Sequence, residues 1–262
     1  MRILITGAAR AIGAATATVL SQAGHEVIAT ARDVALLEPL DVSLRLALDV
    51  TDDYSIAEAL ARAGELDAVV NNAAAQGRGP LEDFPIDRLR LVFETNAIGP
   101  IRLLQHVLPT WRERGSGVIV NISSVQGRVS TPLEGAYAGS KYALEAMSET
   151  LHYELRHFGI RTVIIEPGYV APGMKPAPMD ERNPAYAQLW HEWDGTDSKL
   201  TGAEGRPGPE IVAYAVQRAL EDESTPLRVP VGADAELILA TRSQMDDAQF
   251  EALMRQTLNL RW

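Results

Sequence analysis

Seven short apolar runs, most of them followed by a helical pattern, leave this chain few architectures to choose from. Arg2 to Thr6, Glu26 to Ala31, Leu44 to Val50, Ala68 to Asn71, Gly117 to Ile122, Arg161 to Glu166 and Leu227 to Val231 read as strands. Between them, helical patterns run over Ala14 to Gln22, Asp52 to Ala63, Asp87 to Arg112, Gly135 to His157 and Glu210 to Glu221, and Ala233 to Leu258 is mostly helical. Alternation of this kind builds βαβ units around a parallel sheet. The Gly117 to Ile122 run is dominated by valine and isoleucine, as expected of a strand covered on both faces. The pattern therefore predicts an α/β fold: a doubly wound parallel sheet of about seven strands, with its ligand crevice beyond the carboxyl ends of the strands.

With 262 residues and 46% hydrophobic content, the chain suits a single domain spanning 1–262. A cofactor-binding portion is expected over about 1–168, and a C-terminal completion of the sheet over 210–262. Between them, 169–209 is rich in proline and glycine and lacks strong periodicity, which marks a functional loop or lid. The absence of cysteine excludes disulfides, thiolate zinc sites and cysteine nucleophiles, and suits a reducing cytoplasm. The N-terminal apolar run is too short for a signal peptide, and no stretch approaches the eighteen or so apolar residues of a membrane helix. A soluble, cytoplasmic protein is expected. A net charge of −11 repels nucleic acid, so bound anions must be met by local cations and helix ends.

Two local patterns carry chemistry. Gly7 and Gly13 bracket the first strand-to-helix turn, where free backbone amides and the positive end of the helix dipole suit a pyrophosphate. At the end of the second strand a carboxylate would favour NAD, but the residue there is Arg32, with Arg10 as a second cation in the glycine turn. Both can grip a 2′-phosphate, which predicts NADP(H). Farther on, Tyr137 and Lys141 stand four apart in a helical stretch, on one face and one turn apart. A cation near a phenol favours the phenolate and lowers its pKa from about 10, making the pair a candidate general acid/base.

With these residues in view, the chain resembles the short-chain dehydrogenase/reductase family in its single-domain, Rossmann-like form. The resemblance rests on Thr6-Gly-Ala-Ala-Arg-Ala-Ile-Gly13, Asp49-Val50, Asn71-Asn-Ala-Ala74, Asn96, Ile122-Ser-Ser124, Tyr137 to Lys141 and Pro167-Gly168. It implies that Tyr137 exchanges a proton with a carbonyl or alcohol oxygen while hydride passes to or from the nicotinamide, and that Ser124 hydrogen-bonds the same oxygen. It further implies that Lys141 holds the nicotinamide ribose and keeps the Tyr137 pKa down, and that Asn96 supports a water leading protons to Lys141. By the same resemblance Gly7, Arg10, Ala11, Ile12 and Gly13 form the phosphate turn, and Asp49 and Val50 border the adenine. Asn72, Ala73 and Ala74 line the cofactor floor, and Pro167, Gly168 and Val170 face the nicotinamide. The implied partner is a small carbonyl or alcohol substrate, and the implied assembly a homodimer or homotetramer through the helices of Asp87 to Arg112 and Gly135 to His157.

Three positions depart from the family pattern. Ala11 replaces a common glycine, a substitution that is harmless only if its φ is negative. Ala74 replaces another glycine, and Pro172 stands where a threonine is usual and can supply neither hydroxyl nor backbone donor. The five histidines, His25, His106, His152, His157 and His191, show no zinc-ligand spacing, and no metal is expected. Trp190, Trp193, Met174 and Met179 read equally as a substrate lid or as a lid packed on itself. The competing function is a non-catalytic NADPH sensor of the same fold.

Overall fold

In the computed structural model, which describes residues 1–174, 182–194 and 205–262, seven strands form one sheet. They are β1 (Arg2–Ile5), β2 (Glu26–Ala31), β3 (Leu44–Ala47), β4 (Ala68–Asn71), β5 (Gly117–Ile122), β6 (Ile160–Pro167) and β7 (Arg228–Val231). Their spatial order is β3-β2-β1-β4-β5-β6-β7, and every neighbouring pair is parallel. The doubly wound expectation therefore holds, and the strand order reverses between β1 and β4, where such sheets open a crevice for ligands.

The helices are α1 (Ala11–Gln22), α2 (Asp53–Ala63), α3 (Ile86–Phe93), α4 (Gly99–Arg114), α5 (Gly135–Leu155), α6 (Ala187–Asp194), α7 (Glu210–Glu221), α8 (Ala233–Ser243) and α9 (Asp247–Leu258). Strand residues alternate between two fully used faces. Ile3 and Ile5 join Ala17 and Leu20 of α1 and Val212 and Val216 of α7 in one apolar layer. Leu4 points the other way, into a layer with Ile56 of α2, Leu103, Leu104 and Trp111 of α4, and Leu155 of α5. Period-two alternation with both sides apolar is the pattern of a sheet buried on both faces. Inside this sandwich Asn71 Nδ2 donates to Asn121 Oδ1 and Asn121 Nδ2 to Ser148 Oγ, both at 2.8 Å, tying β4, β5 and α5 together.

Beyond shifts of a few residues at element ends, the structure departs from the sequence expectation in four places. β3 stops at Ala47 instead of Val50, because the Asp49 carboxylate accepts from both the amide and the hydroxyl of Thr51 and turns the chain. The helix expected over Asp87 to Arg112 is continuous in direction but contains a π-helical turn, Glu94–Ile98, between α3 and α4. The stretch Ala233 to Leu258 splits into α8 and α9, because Asp246 and Gln249 cap each other's backbone in a reciprocal box. Within the segment read as non-periodic, α6 forms and buries Leu189, Trp190 and Trp193. No helix among the described residues is long and apolar enough to cross a membrane.

Candidate active site

The two sides of the sheet's switch point are stitched together by residues of β1 and β4. Thr6 Oγ1 accepts from the amides of Asn72 and Ala73, both at 3.0 Å, and Asn72 Nδ2 donates back to the carbonyls of Thr6 and Gly7 at 2.9 and 3.0 Å. Asn72 and Ala73, expected to line a cofactor floor, therefore also hold the glycine turn in place; Ala74 follows them, half-buried. Gly7 adopts φ +66°, and a side chain there would meet the Ala73 backbone at 2.8 Å. Gly13 is needed for space: a Cβ would lie 2.4 Å from the Gly7 carbonyl oxygen and 2.6 Å from Asn72 Nδ2. Beyond the turn, no side chain caps the first turn of α1, so its leading amides are available to an anion. Ile12 packs against the core below.

Ala11 sits at φ +48°, which is the conformation the sequence reading required it to avoid. A left-handed alanine costs about 1–2 kcal/mol, while glycine would return about 0.5–1 kcal/mol through the greater freedom of its unfolded chain. Ala11→Gly is therefore expected to stabilise the protein, by about 1–3 °C in Tm for a chain of this size. A thermal melt of the two proteins checks this, and a lower Tm for the glycine variant would contradict the strain.

Arg10 and Arg32 lie exposed beside this turn, and neither makes a side-chain hydrogen bond or ion pair with the described residues. Val50 is buried against Gly99, and Asp49 ends β3 as described. Across the crevice, β6 ends at Pro167; the Gly168 amide donates to the Val231 carbonyl at 3.0 Å, and the Tyr169 amide to Asp234 Oδ2 at 2.6 Å. Val170, expected at the nicotinamide, is buried in the apolar layer shared with α7.

Ser124 and Tyr137 come together at the carboxyl end of β5, their side chains hydrogen-bonded. Ser124 Oγ also accepts from the Gln126 amide at 3.1 Å, which fixes its rotamer. One turn along α5, Lys141 places its ammonium 5.7 Å from the centre of the Tyr137 ring and donates to the Ile122 carbonyl at 2.7 Å. The electrostatics correct the sequence expectation that Lys141 holds the Tyr137 pKa down. Burial raises the phenol well above its ordinary value, Ser124 lowers it by donating to it, and the charge of Glu134 raises it. Burial likewise lowers Lys141 to about 8, against a raising influence of Glu145. The pair as it stands is thus a neutral phenol beside an ammonium that readily gives up its proton, an arrangement suited to proton donation. The sequence reading passed over Glu134, which is buried at the start of α5 and accepts from Gln76 Nε2 at 2.6 Å.

Asn96 lies in the π-helical turn, fully buried, with its side chain committed to protein. Its Oδ1 accepts from the Ala75 amide at 2.7 Å, and its Nδ2 donates to the Ala75 carbonyl and to Ser140 Oγ, both at 2.9 Å. It therefore clamps the segment after β4 onto α5, between the cofactor floor and the Tyr137 helix.

A cavity of about 430 Å³ opens between the segment after Ser124 and the C-terminal helix, lined by Val129, Pro132, Leu189, Phe250, Met254 and Leu258 among others. Val129 and Met254 also wall a smaller apolar space bounded by Val125 and Gln126, the residues that follow Ser124. Phe250, Met254 and Leu258 recur every four residues on α9, a stripe legible in the sequence but assigned there only to completing the fold. Trp190 and Trp193 are buried with Leu133 and Leu258, and Arg182 stacks on Trp190 at 4.1 Å, so these rings pack on the protein itself. Met174 is exposed, and Met179 lies outside the described residues.

A doubly wound sheet with a glycine turn at its switch point, and a serine, tyrosine and lysine gathered across from it, defines a dinucleotide-dependent oxidoreductase. The short chain dehydrogenase family model matches residues 1–183, and the chain belongs to that family. It is 31% identical to the 3-ketodihydrosphingosine reductase of Bacteroides thetaiotaomicron, across 97% of this chain and 96% of that one. The crystal structure of a short-chain dehydrogenase from Streptomyces avermitilis superposes with a TM-score of 0.81 at 36% identity, covering 97% of both chains. A 3-oxoacyl-[acyl-carrier protein] reductase from Brucella melitensis with bound NAD superposes with a TM-score of 0.74 at 26% identity, over 87% of this chain and 88% of that one.

Proposed function

We propose that this oxidoreductase uses NADP(H) to interconvert a ketone or aldehyde and an alcohol on an apolar or amphipathic small molecule. The observation that carries the reading is the hydrogen-bonded Ser124 and Tyr137 with Lys141 one turn away, facing an uncapped helix N-terminus behind Gly7 and Gly13. The free amides of α1, the close-packed glycines and the two exposed arginines fit a dinucleotide with an extra phosphate. Arg10 and Arg32 would hold that phosphate, Asp49 and Val50 the adenine side, and Lys141 the nicotinamide ribose. When bound, the cofactor supplies or accepts the hydride. Ser124 holds the substrate oxygen by a hydrogen bond, and Tyr137, kept protonated by its burial, delivers a proton to that oxygen during reduction. Lys141 then replenishes the phenol. The cavity walled by Val129, Phe250 and Met254, with Arg242, Asp247, Glu251 and Arg255 also in its lining, suits an amphipathic substrate, and the Bacteroides relative is named for a ketone reduction.

The test requires no substrate. Quenching of the four tryptophans is followed while NADPH and, separately, NADH are added to the wild type and to Arg32→Asp. Saturation at much lower NADPH than NADH is expected, with the preference falling at least tenfold in the variant, about 1.4 kcal/mol for the lost charge-assisted contact. An unchanged ratio would remove the NADP(H) assignment, and binding of neither nucleotide would favour a protein that no longer handles the cofactor.

A further inference from the structure

The α5 stripe that carries Tyr137 and Lys141 continues at the same spacing through Glu145 and Glu149. Lys141 and Glu145 are both buried, 2% and 3% exposed. Arg228 of β7 bonds both acids, its Nε 3.0 Å from Glu145 Oε2 and its Nη2 2.8 Å from Glu149 Oε2. Behind them Glu166, at the end of β6 and 1% exposed, meets Arg128 from the turn after β5 at 3.3 Å. The space between α5, β6 and β7 thus holds three carboxylates against two guanidiniums. Lys141 is the buried cation next to them on the α5 stripe.

Glu145 is only half satisfied by Arg228. Its Oε1 is buried without a hydrogen-bond partner, as is Ser123 Oγ, and both border the bare face of Gly127: a Cβ there would lie 3.2 and 2.8 Å from them. An acid left in this state keeps much of its field for neighbouring charges. Lys141 feels it, because Glu145 raises the ammonium's pKa against the burial that lowers it. Glu166 feels it as well: burial first, then Glu145, lifts its pKa to about 7, with Arg128 and Arg228 opposing.

We propose that Glu145 is a positioning residue for the proton chemistry at Tyr137, its carboxylate being the counter-charge that keeps Lys141 an ammonium. Arg228, Arg128 and Glu166 set how much of that charge Lys141 receives. The inference rests on the reading of Lys141 given above, but its test does not depend on turnover.

The chain contains three lysines, Lys141, Lys175 and Lys199, so protein carrying 13C-labelled lysine gives three side-chain resonances, and Lys141→Met assigns the relevant one. In Glu145→Gln the Lys141 midpoint is expected to fall by on the order of one pH unit. Glu145→Asp, which keeps the ion pair with a shorter reach, is expected to lower it by less, and stands in if the glutamine variant does not fold. Glu149→Gln, which removes an exposed partner of the same Arg228, is expected to leave it in place. A midpoint unmoved by either Glu145 change, or moved equally by Glu149→Gln, would overturn the proposal. If the midpoint moves as expected but no carbonyl compound is turned over, the counter-charge stands and the oxidoreductase reading of the site fails. If carbonyls are reduced, the rate should decline with rising pH through the Lys141 midpoint, and that limb should move to lower pH in Glu145→Gln.

Discussion

Tyr137→Phe is expected to lower kcat for carbonyl reduction by roughly 10²–10⁴-fold while NADPH still binds, the range typical of removing a positioned general acid. The substitution deletes one oxygen from a buried ring and leaves Ser124 and Lys141 in place, so the fold should persist. Burial raises the Tyr137 phenol, so on the proposed function it would meet the carbonyl as an acid in the reducing direction. On the same reading Lys141, which burial lowers to about 8, would reprotonate it, so the wild-type reduction rate is expected to decline as pH rises through that value. Steady-state rates with any accepted ketone, measured across pH, check both statements. Turnover by Tyr137→Phe within tenfold of wild type would overturn the assignment of Tyr137 as the proton donor.

Gly13→Ala is expected to damage cofactor binding and the fold together. The new methyl would press 2.4 Å from the Gly7 carbonyl and 2.6 Å from Asn72 Nδ2, and the first of these is backbone that cannot rotate away. Relief requires the turn to move away from β4, breaking the Thr6 and Asn72 bonds that join the two sides of the crevice. Overpacking of this kind costs typically about 1–3 kcal/mol, or several degrees in Tm. A misplacement of about 1 Å at a positioning element costs around 10²-fold in function. A melt paired with an NADPH titration separates the two effects. An unchanged Kd would mean that the turn does not contact the pyrophosphate.

Strand and helix order were legible because the determinants are local: β-branched runs, apolar periodicity and a glycine turn each act over a few residues. The Tyr137 and Lys141 pair was legible for the same reason, since four residues on a helix make one face. Properties set by distant packing were not. The raised Tyr137 phenol comes from its burial and from the charge of Glu134, with Ser124 opposing. The positive φ of Ala11 reflects the pull of β1, β4 and α1 on one residue, which no propensity records. The contribution of α9 to the cavity depends on where the last helix docks, and its stripe of Phe250, Met254 and Leu258 fits any core-facing helix equally well.

The π-helical turn at Glu94–Ile98 also acts as a phase shifter. An α-helix turns by 100° per residue, so the one extra residue in a π turn rotates everything beyond it by about that angle relative to an unbroken helix. A single straight rod from Ile86 to Arg114 would present one apolar stripe to one neighbour. With the shift, the first part of the rod turns its buried side to α5, while the second turns its own to α2 and the sheet. Asn96 sits at the pivot between these two orientations, which is how one side chain can reach both the segment after β4 and the helix that carries Tyr137.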